Sequence, residues 1–465
     1  MRLAPALPAR RGGAAPRAPA PARRGGCAPR GEAPRRALDR GGLAAALAAP
    51  PARARARLAR DGPARRRDAR GPLRAGRRLM RVLVFTGKGG VGKTTHALAT
   101  AFGAAAHGHR VCVLSADPAH SLGDALARPV GARPVAVAPG VVAREVDAQE
   151  ELDRSWSEIQ RWLRALLREG ADELAAEEVL VFPGLEELVA LRAVREAEAT
   201  GEFDVCVVDC APTGATLRML RFPDALRIFM ENFFELERRG ARLLRPLADR
   251  FAAGRLLPRE EFFEAVERLY GEVEDVRQIL LDETRTSARL VVNPARVVVD
   301  ETRRSFAYLC LYGVATDAVI VNRVLPEEAA GGWFSRWAAR ERAELAEIEA
   351  SFPVPRLYAP LRPHEVRGAD ALHALAEALY AERDPAARFV EARPFRILRA
   401  AGRPRLEIDL PGVAKEELEV SARGDELFVR VRDATRRIAL PASLAGRAVR
   451  SARLQGGTLR VELEP

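Results

Sequence analysis

The chain has 465 residues, 48% of them hydrophobic, 30% charged and 6% aromatic, enough for two or three domains with cores of their own. No run approaches the ~20 consecutive apolar residues of a membrane helix, and five scattered cysteines make no disulfide framework in a chain this long; a membrane-spanning protein and a secreted disulfide scaffold are excluded, and a reducing, cytoplasmic setting is expected. The formal charge of +12 is lopsided, with +17 on residues 1–79 and −5 on the rest, so the body has no general attraction for nucleic-acid phosphates.

Residues 1–79 are rich in Arg, Ala, Pro and Gly, with no Ser, Thr or Lys and no periodic apolar face. Such a segment buries too little surface to offset the entropy of ordering it, so a disordered leader is expected. Its lack of Ser does not suit an organelle transit peptide. Met80, where a strand begins at once, suits the native start, with the leader outside the translated protein.

Arg81-Val82-Leu83-Val84-Phe85-Thr86 has the β-branched apolar pattern of a strand buried on both faces. Gly87-Lys88-Gly89-Gly90-Val91-Gly92-Lys93-Thr94-Thr95 follows, and then an Ala-rich helical stretch from His96 to about His107. Strand, glycine loop and helix stand in the order of a phosphate-binding loop. The glycines let successive N–H groups turn inward on phosphate oxygens, and the helix adds its positive end. Lys93 is placed to reach the β- and γ-phosphates, and the Thr94 hydroxyl to ligate Mg2+. The chain has three lysines, Lys88, Lys93 and Lys415, beside 72 arginines, so two of the three sit in this loop. A compact ammonium differs from a planar fork at a phosphate, which points to a need for Lys itself.

Val111-Cys112-Val113-Leu114 reads as a second buried strand delivering Asp117 to its carboxyl end, where open α/β sheets place their ligands. A carboxylate there can orient or deprotonate an attacking water, although an Asp before Pro is also a common helix cap. A third strand, Phe203 to Val208, ends in Asp209, placed like the acid that holds a magnesium shell, and Gly214 offers a backbone N–H near the γ-phosphate. Val319-Ile320-Val321 leads to Asn322, whose amide suits the edge of adenine, and Glu365-Val366-Arg367-Gly368 forms a late loop.

A lysine directly after the first glycine, in GKGGVGKTT, together with Ser115 to Asp124 (SADPAHSLGD) and Val207 to Gly214 (VVDCAPTG), resembles the ATPases of the arsenite-pump and tail-anchored-protein-targeting family over about residues 80–385. The resemblance implies an α/β P-loop NTPase with a mostly parallel sheet and an inserted helical subdomain, hydrolysing ATP with Mg2+ as a homodimer joined through the nucleotide interface. It implies that Lys88 reaches the partner's nucleotide, that Asp117 belongs to the first switch, and that Asn322 and the loop at Glu365 hold the base. Cys210 in place of a threonine and Ala215 in place of a histidine depart from the family pattern in the second switch.

Helical blocks are expected over about 148–200 and 224–285, from Leu152, Trp156, Ile159 and Leu163 in the first and Phe229, Phe233, Phe262 and Val266 in the second. In the family such helices move with the nucleotide and, in targeting members, hold a client. With only four methionines the chain lacks a Met-rich client groove, and the client or membrane partner is not legible. The chain contains no C-x-x-C pair. Cys206 and Cys210 fall about 13 Å apart on an extended strand, too far to share an ion, so neither a zinc clasp nor a thiolate arsenite site is expected.

After a linker over 386–398, residues 399–465 alternate apolar and polar in Arg405–Leu410, Glu426–Val431 and Thr458–Leu463, with glycine turns between. A small all-β sandwich is expected. Leu410 to Glu417 (LPGVAKEE) and Arg437 to Pro441 (RIALP) resemble the α-crystallin type domain of small heat-shock proteins, carried at this end by some bacterial members of the ATPase family. Two other readings remain at this point: a ParA or MinD type partition ATPase, which would need a basic DNA face or a membrane helix, and a chaperone-like binding protein acting through its β-module.

Overall fold

The computed structural model describes residues 79–117, 121–146, 185–210, 260–400, 403–440, 444 and 446–464. The elements run β1 (Arg81–Thr86), α1 (Lys93–Ala106), β2 (Val111–Ser115), α2 (Ser121–Leu126), β3 (Val135–Ala138), β4 (Val141–Glu145), α3 (Leu185–Thr200), β5 (Val205–Asp209), α4 (Glu260–Leu281), β6 (Thr286–Val292), α5 (Arg296–Tyr312), β7 (Thr316–Val324), α6 (Ser335–Ser351), β8 (Arg356–Pro360) and α7 (Ala369–Tyr380). Eight strands form one sheet in the order β3-β4-β2-β5-β1-β6-β7-β8. Every pair is parallel except β3 with β4.

The pleat decides which side each residue serves. Leu83 and Phe85 of β1 join Leu98 and Phe102 of α1 and Leu372 and Leu375 of α7 on one face. Val82 and Val84 join Ala193 and Val194 of α3 and Val276 and Ile279 of α4 on the other. Burial on both faces is why the strand reads as an unbroken apolar run, and each such side chain contributes ~1.5–3 kcal/mol on leaving water. The helical blocks read at 148–200 and 224–285 are described only at α3 and α4; their remainder lies outside the described residues. The β3–β4 hairpin is an addition to the strands read from sequence.

β6 buries three polar residues, Thr286, Ser287 and Arg289, of which Arg289 alone is charged. Arg289 is fully buried, with Nε donating to Asp317 at 3.1 Å and Nη1 to the Tyr380 hydroxyl at 3.2 Å, and its guanidinium stacks 4.5 Å from the Phe389 ring centre. Arg81 donates to the same aspartate at 3.0 Å. Arg81 and Arg289 also donate to the carbonyls of Ala386 and Ala387. The segment read as the start of a linker is thereby held on the body.

The C-terminal region folds as β9 (Phe395–Ala400), β10 (Arg403–Asp409), β11 (Leu418–Arg423), β12 (Glu426–Val431), β13 (Ala434–Ala439), β14 (Val449–Gln455) and β15 (Thr458–Leu463). They form two antiparallel sheets, β14-β15-β10-β9 and β11-β12-β13. The sandwich begins at Phe395 rather than at 399, because Phe395 to Ile397 already pair with Ile408 to Leu406 and the Phe395 ring lies 4.7 Å from the Arg436 guanidinium.

The sandwich core is continuous with one helix of the ATPase region. Ala307, Tyr308, Leu311 and Tyr312 of α5 pack with Leu406, Leu427, Val429 and Val461. The Tyr308 hydroxyl donates to Asp433, and Arg436 donates to Leu311 O at 2.6 Å. Gly313 ends the helix at φ +87°, and a Cβ there would stand 3.2 Å from the Arg436 guanidinium. The left-handed φ favours glycine, and a side chain there would also press the Arg436 guanidinium aside by a few tenths of an ångström. Among the described residues no helix is long and apolar enough to cross a membrane.

Candidate active site

Parallel strands bring their carboxyl ends to one edge, and the loop leaving β1 lies at that edge. Residues 87–92 connect β1 to α1, which begins at Lys93 rather than at His96, so Lys93, Thr94 and Thr95 are its first turn. Gly87 and Val91 are buried, and Gly89 and Gly90 are exposed. Gly92 has φ +99°, and a Cβ on it would meet the Asn322 amide nitrogen at 2.6 Å. Only glycine allows the helix to start there with Asn322 so close.

Four of the residues read from sequence converge. Thr94 Oγ1 donates to Asp209 Oδ2 at 2.7 Å. Lys93 is buried and close enough for its charge to act on Asp209, as is Asp117 from the end of β2. Burial pushes the Asp209 carboxyl up to about 7, with the Asp117 charge adding to it, against the Thr94 bond and the Lys93 charge. The other oxygen, Asp209 Oδ1, is buried with no hydrogen-bond partner. An orphaned buried carboxylate oxygen beside a hydroxyl is a hard-oxygen donor set that fits Mg2+. The Lys93 ammonium reaches back toward Lys88 O, at 3.5 Å.

Two expected residues are engaged elsewhere in the structure. Lys88 forms an ion pair with Glu301 of α5, Nζ to Oε2 3.1 Å. Asn322 donates through Nδ2 to Val91 O at 2.7 Å and accepts the Arg323 N–H at 2.8 Å, so its amide props the loop. The late loop ties to α2, with Gly368 N–H donating to Ala125 O at 2.9 Å and Arg367 Nε to Asp124 O at 3.0 Å. Gly214 lies outside the described residues.

Several neighbours of the site were not legible as such. His96 holds Gly92 O through Nδ1 at 2.8 Å, and burial lowers its imidazole to about 4, so it stays neutral. Glu145, at the end of β4, accepts the N–H groups of Leu122 and Gly123 at 3.1 and 3.2 Å. Ser121 lies 2.9 Å from Thr94. A serine inside SADPAHSLGD is visible in sequence; the others had no motif to mark them. Cys112 and Cys206 are register partners on β2 and β5, and the Cys112 sulfur together with burial raises the Cys206 thiol.

Residues 80–381 match the anion-transporting ATPase family, and residues 401–463 match the HSP20-like domain found in ArsA. A protein of Aquifex aeolicus named "Putative arsenical pump-driving ATPase 1" is 36% identical over 377 residues, covering 78% of this chain and 95% of that protein. An uncharacterised protein of Streptomyces coelicolor is 38% identical over 388 residues, covering 83% and 98%. The arsenical pump-driving ATPase of Acidiphilium multivorum is 31% identical over 308 residues, covering 63% and 48%. A phosphate-binding loop at the carboxyl edge of a mostly parallel sheet, with an antiparallel sandwich after it, is the architecture these matches call for, and the chain belongs to the ArsA-type anion-transporting ATPase family, as an ATPase with a C-terminal HSP20-like domain.

Proposed function

We propose that the chain is a cytoplasmic, Mg2+-dependent ATPase in which hydrolysis drives a nucleotide-gated switch of a homodimer, delivering motion to an anion transporter or a protein client. The observation that carries this reading is the convergence of Lys93, Thr94, Asp117 and Asp209 beside the glycine loop, with Asp209 Oδ1 unpaired.

The loop backbone from Gly87 to Thr95 and the ammonium of Lys93 hold the β- and γ-phosphates. Thr94 and Asp209 hold Mg2+, which when bound neutralises charge developing on the phosphoryl oxygens. Asp117 orients the attacking water and accepts its proton. Gly214 N–H senses the γ-phosphate, and Asn322 faces the base while bracing Val91. Lys88 leaves Glu301 for the partner's nucleotide and stabilises negative charge there. The work is conformational, so turnover is slow.

An arsenical as the stimulating ligand is disfavoured by the described cysteines. All four are buried, and the thiols of Cys206 and Cys310 are raised, a poor source of thiolate. The test is phosphate release with Mg2+ and ATP for the full chain and for Lys93→Ala. The reading expects turnover lost at least 100-fold in the variant, and equal rates would refute it. Sedimentation with a transition-state mimic should show a dimer; a strict monomer would remove the role given to Lys88.

A further inference from the structure

A hydroxyl outside the residues assigned above is built into the same oxygen cluster. Ser121 Oγ, at the start of α2, lies 2.9 Å from Thr94 Oγ1, which itself lies 2.7 Å from Asp209 Oδ2. A hydroxyl has one proton. Thr94 spends its own on Asp209, so Ser121 is the donor to Thr94, and the chain Ser121, Thr94, Asp209 ends at a carboxylate whose second oxygen is buried without a partner.

The direction of the Ser121 hydroxyl is not what its place in the chain would produce. A serine at the start of a helix commonly turns its oxygen onto the N–H groups of the first turn. Here those donors are already taken, since Glu145 accepts from Leu122 and Gly123. A buried carboxylate from the neighbouring strand caps α2 and leaves Ser121 Oγ to face Thr94.

The spacing adds the chemistry. Adjacent oxygens around an octahedral Mg2+ at 2.0–2.1 Å stand about 2.9 Å apart. The Thr94–Ser121 and Thr94–Asp209 separations are of that size, so with the hydroxyl hydrogens, which both groups keep, turned outward, these oxygens are spaced to share one cation.

We infer that Ser121 is a third protein oxygen of the divalent-cation site, joining Thr94 and Asp209 and tying cation occupancy to α2. The inference rests on the reading of Thr94 and Asp209 as cation ligands. It makes Ser121 the residue through which the first switch senses the loaded loop, while Glu145 keeps α2 capped.

The test measures Mn2+ binding by electron paramagnetic resonance on the full chain with ADP, together with ADP affinity by calorimetry in EDTA. Ser121→Ala is expected to weaken Mn2+ binding about 5- to 10-fold and to leave ADP affinity in EDTA unchanged, and Ser121→Thr, which keeps the oxygen, is expected to retain Mn2+ binding. A purely structural role would move the EDTA affinity or the thermal midpoint instead. Ser121→Ala with the Mn2+ affinity of the unsubstituted chain would overturn the proposal and leave the Thr94–Asp209 reading standing. Failure of the unsubstituted chain to bind Mn2+ with ADP would remove both.

Discussion

Lys88 Nζ lies 3.1 Å from Glu301 Oε2, so the lysine introduced by the first glycine of the loop is held on α5 of its own chain. Both side chains are about one-third exposed, and a pair of that kind contributes under ~1 kcal/mol. Glu301→Gln releases Lys88 without removing it. Nucleotide-dependent dimerisation, followed by sedimentation, is expected at a two- to fivefold lower protein concentration. A shift to higher concentration would mean that Glu301 supports the dimer and is no resting place for Lys88.

The Arg289–Asp317 pair behaves differently because both partners are buried. Arg289 is 0% and Asp317 1% exposed, and Arg81 shares the aspartate. Replacing Asp317 by Asn leaves two guanidinium groups facing each other without a counter-charge. Breaking such a pair costs about 3–5 kcal/mol, readable as a drop in the guanidinium chloride midpoint. Removing the exposed Arg110–Asp204 pair by Arg110→Ala should leave that midpoint in place.

The joint between α5 and the sandwich predicts a proteolytic phenotype. Arg436→Ala removes the donor to Leu311 O and the cation beside Phe395, a loss of about 1–3 kcal/mol for a buried charged hydrogen bond. Trypsin has targets at Arg383 and Arg388, ahead of β9, whereas the Arg393–Pro394 bond resists it. The variant should release the C-terminal sandwich several-fold faster than the unsubstituted chain. Equal rates would show that the joint holds without Arg436.

His96 gives the pH dependence. Its imidazole is lowered by burial to about 4 in the folded chain, against ~6.5 unfolded. Between those values the unfolded chain takes up the proton and the folded one does not. Stability is therefore full above pH ~6.5 and falls with pH down to about 4, by roughly 3 kcal/mol across the window. Urea midpoints at several pH values should show the slope for the natural chain and a shallower one for His96→Gln; parallel slopes would exclude His96 as its source.

The loop and the core strands were legible because their chemistry is written locally: glycines around a scarce lysine, and β-branched runs that two-sided burial makes continuous. The β3–β4 hairpin was carried by strands of four and five residues around Pro139-Gly140, too short for periodicity to stand out. Arg289 is the one charged residue of its strand, and its partners are Asp317, Tyr380 and Phe389, which no local pattern links to it. Ser121 was in view within a motif, but its bond to Thr94 exists only once β4 supplies Glu145 as the cap of α2. Lys88 and Glu301 are 213 positions apart and meet only in the fold.

On α5, Glu301 and Tyr308 are separated by seven residues, about two helical turns. The first answers to the phosphate loop, while the second, with Leu311 and Tyr312, is sealed under the sandwich. The two halves of this chain are consequently not interchangeable cassettes. A homologue that stops near residue 381 would leave three large side chains wetted along one rod, and polar residues are expected there in their place. In this chain the same rod is written for two companions at once, a loop that grips and a fold that shelters.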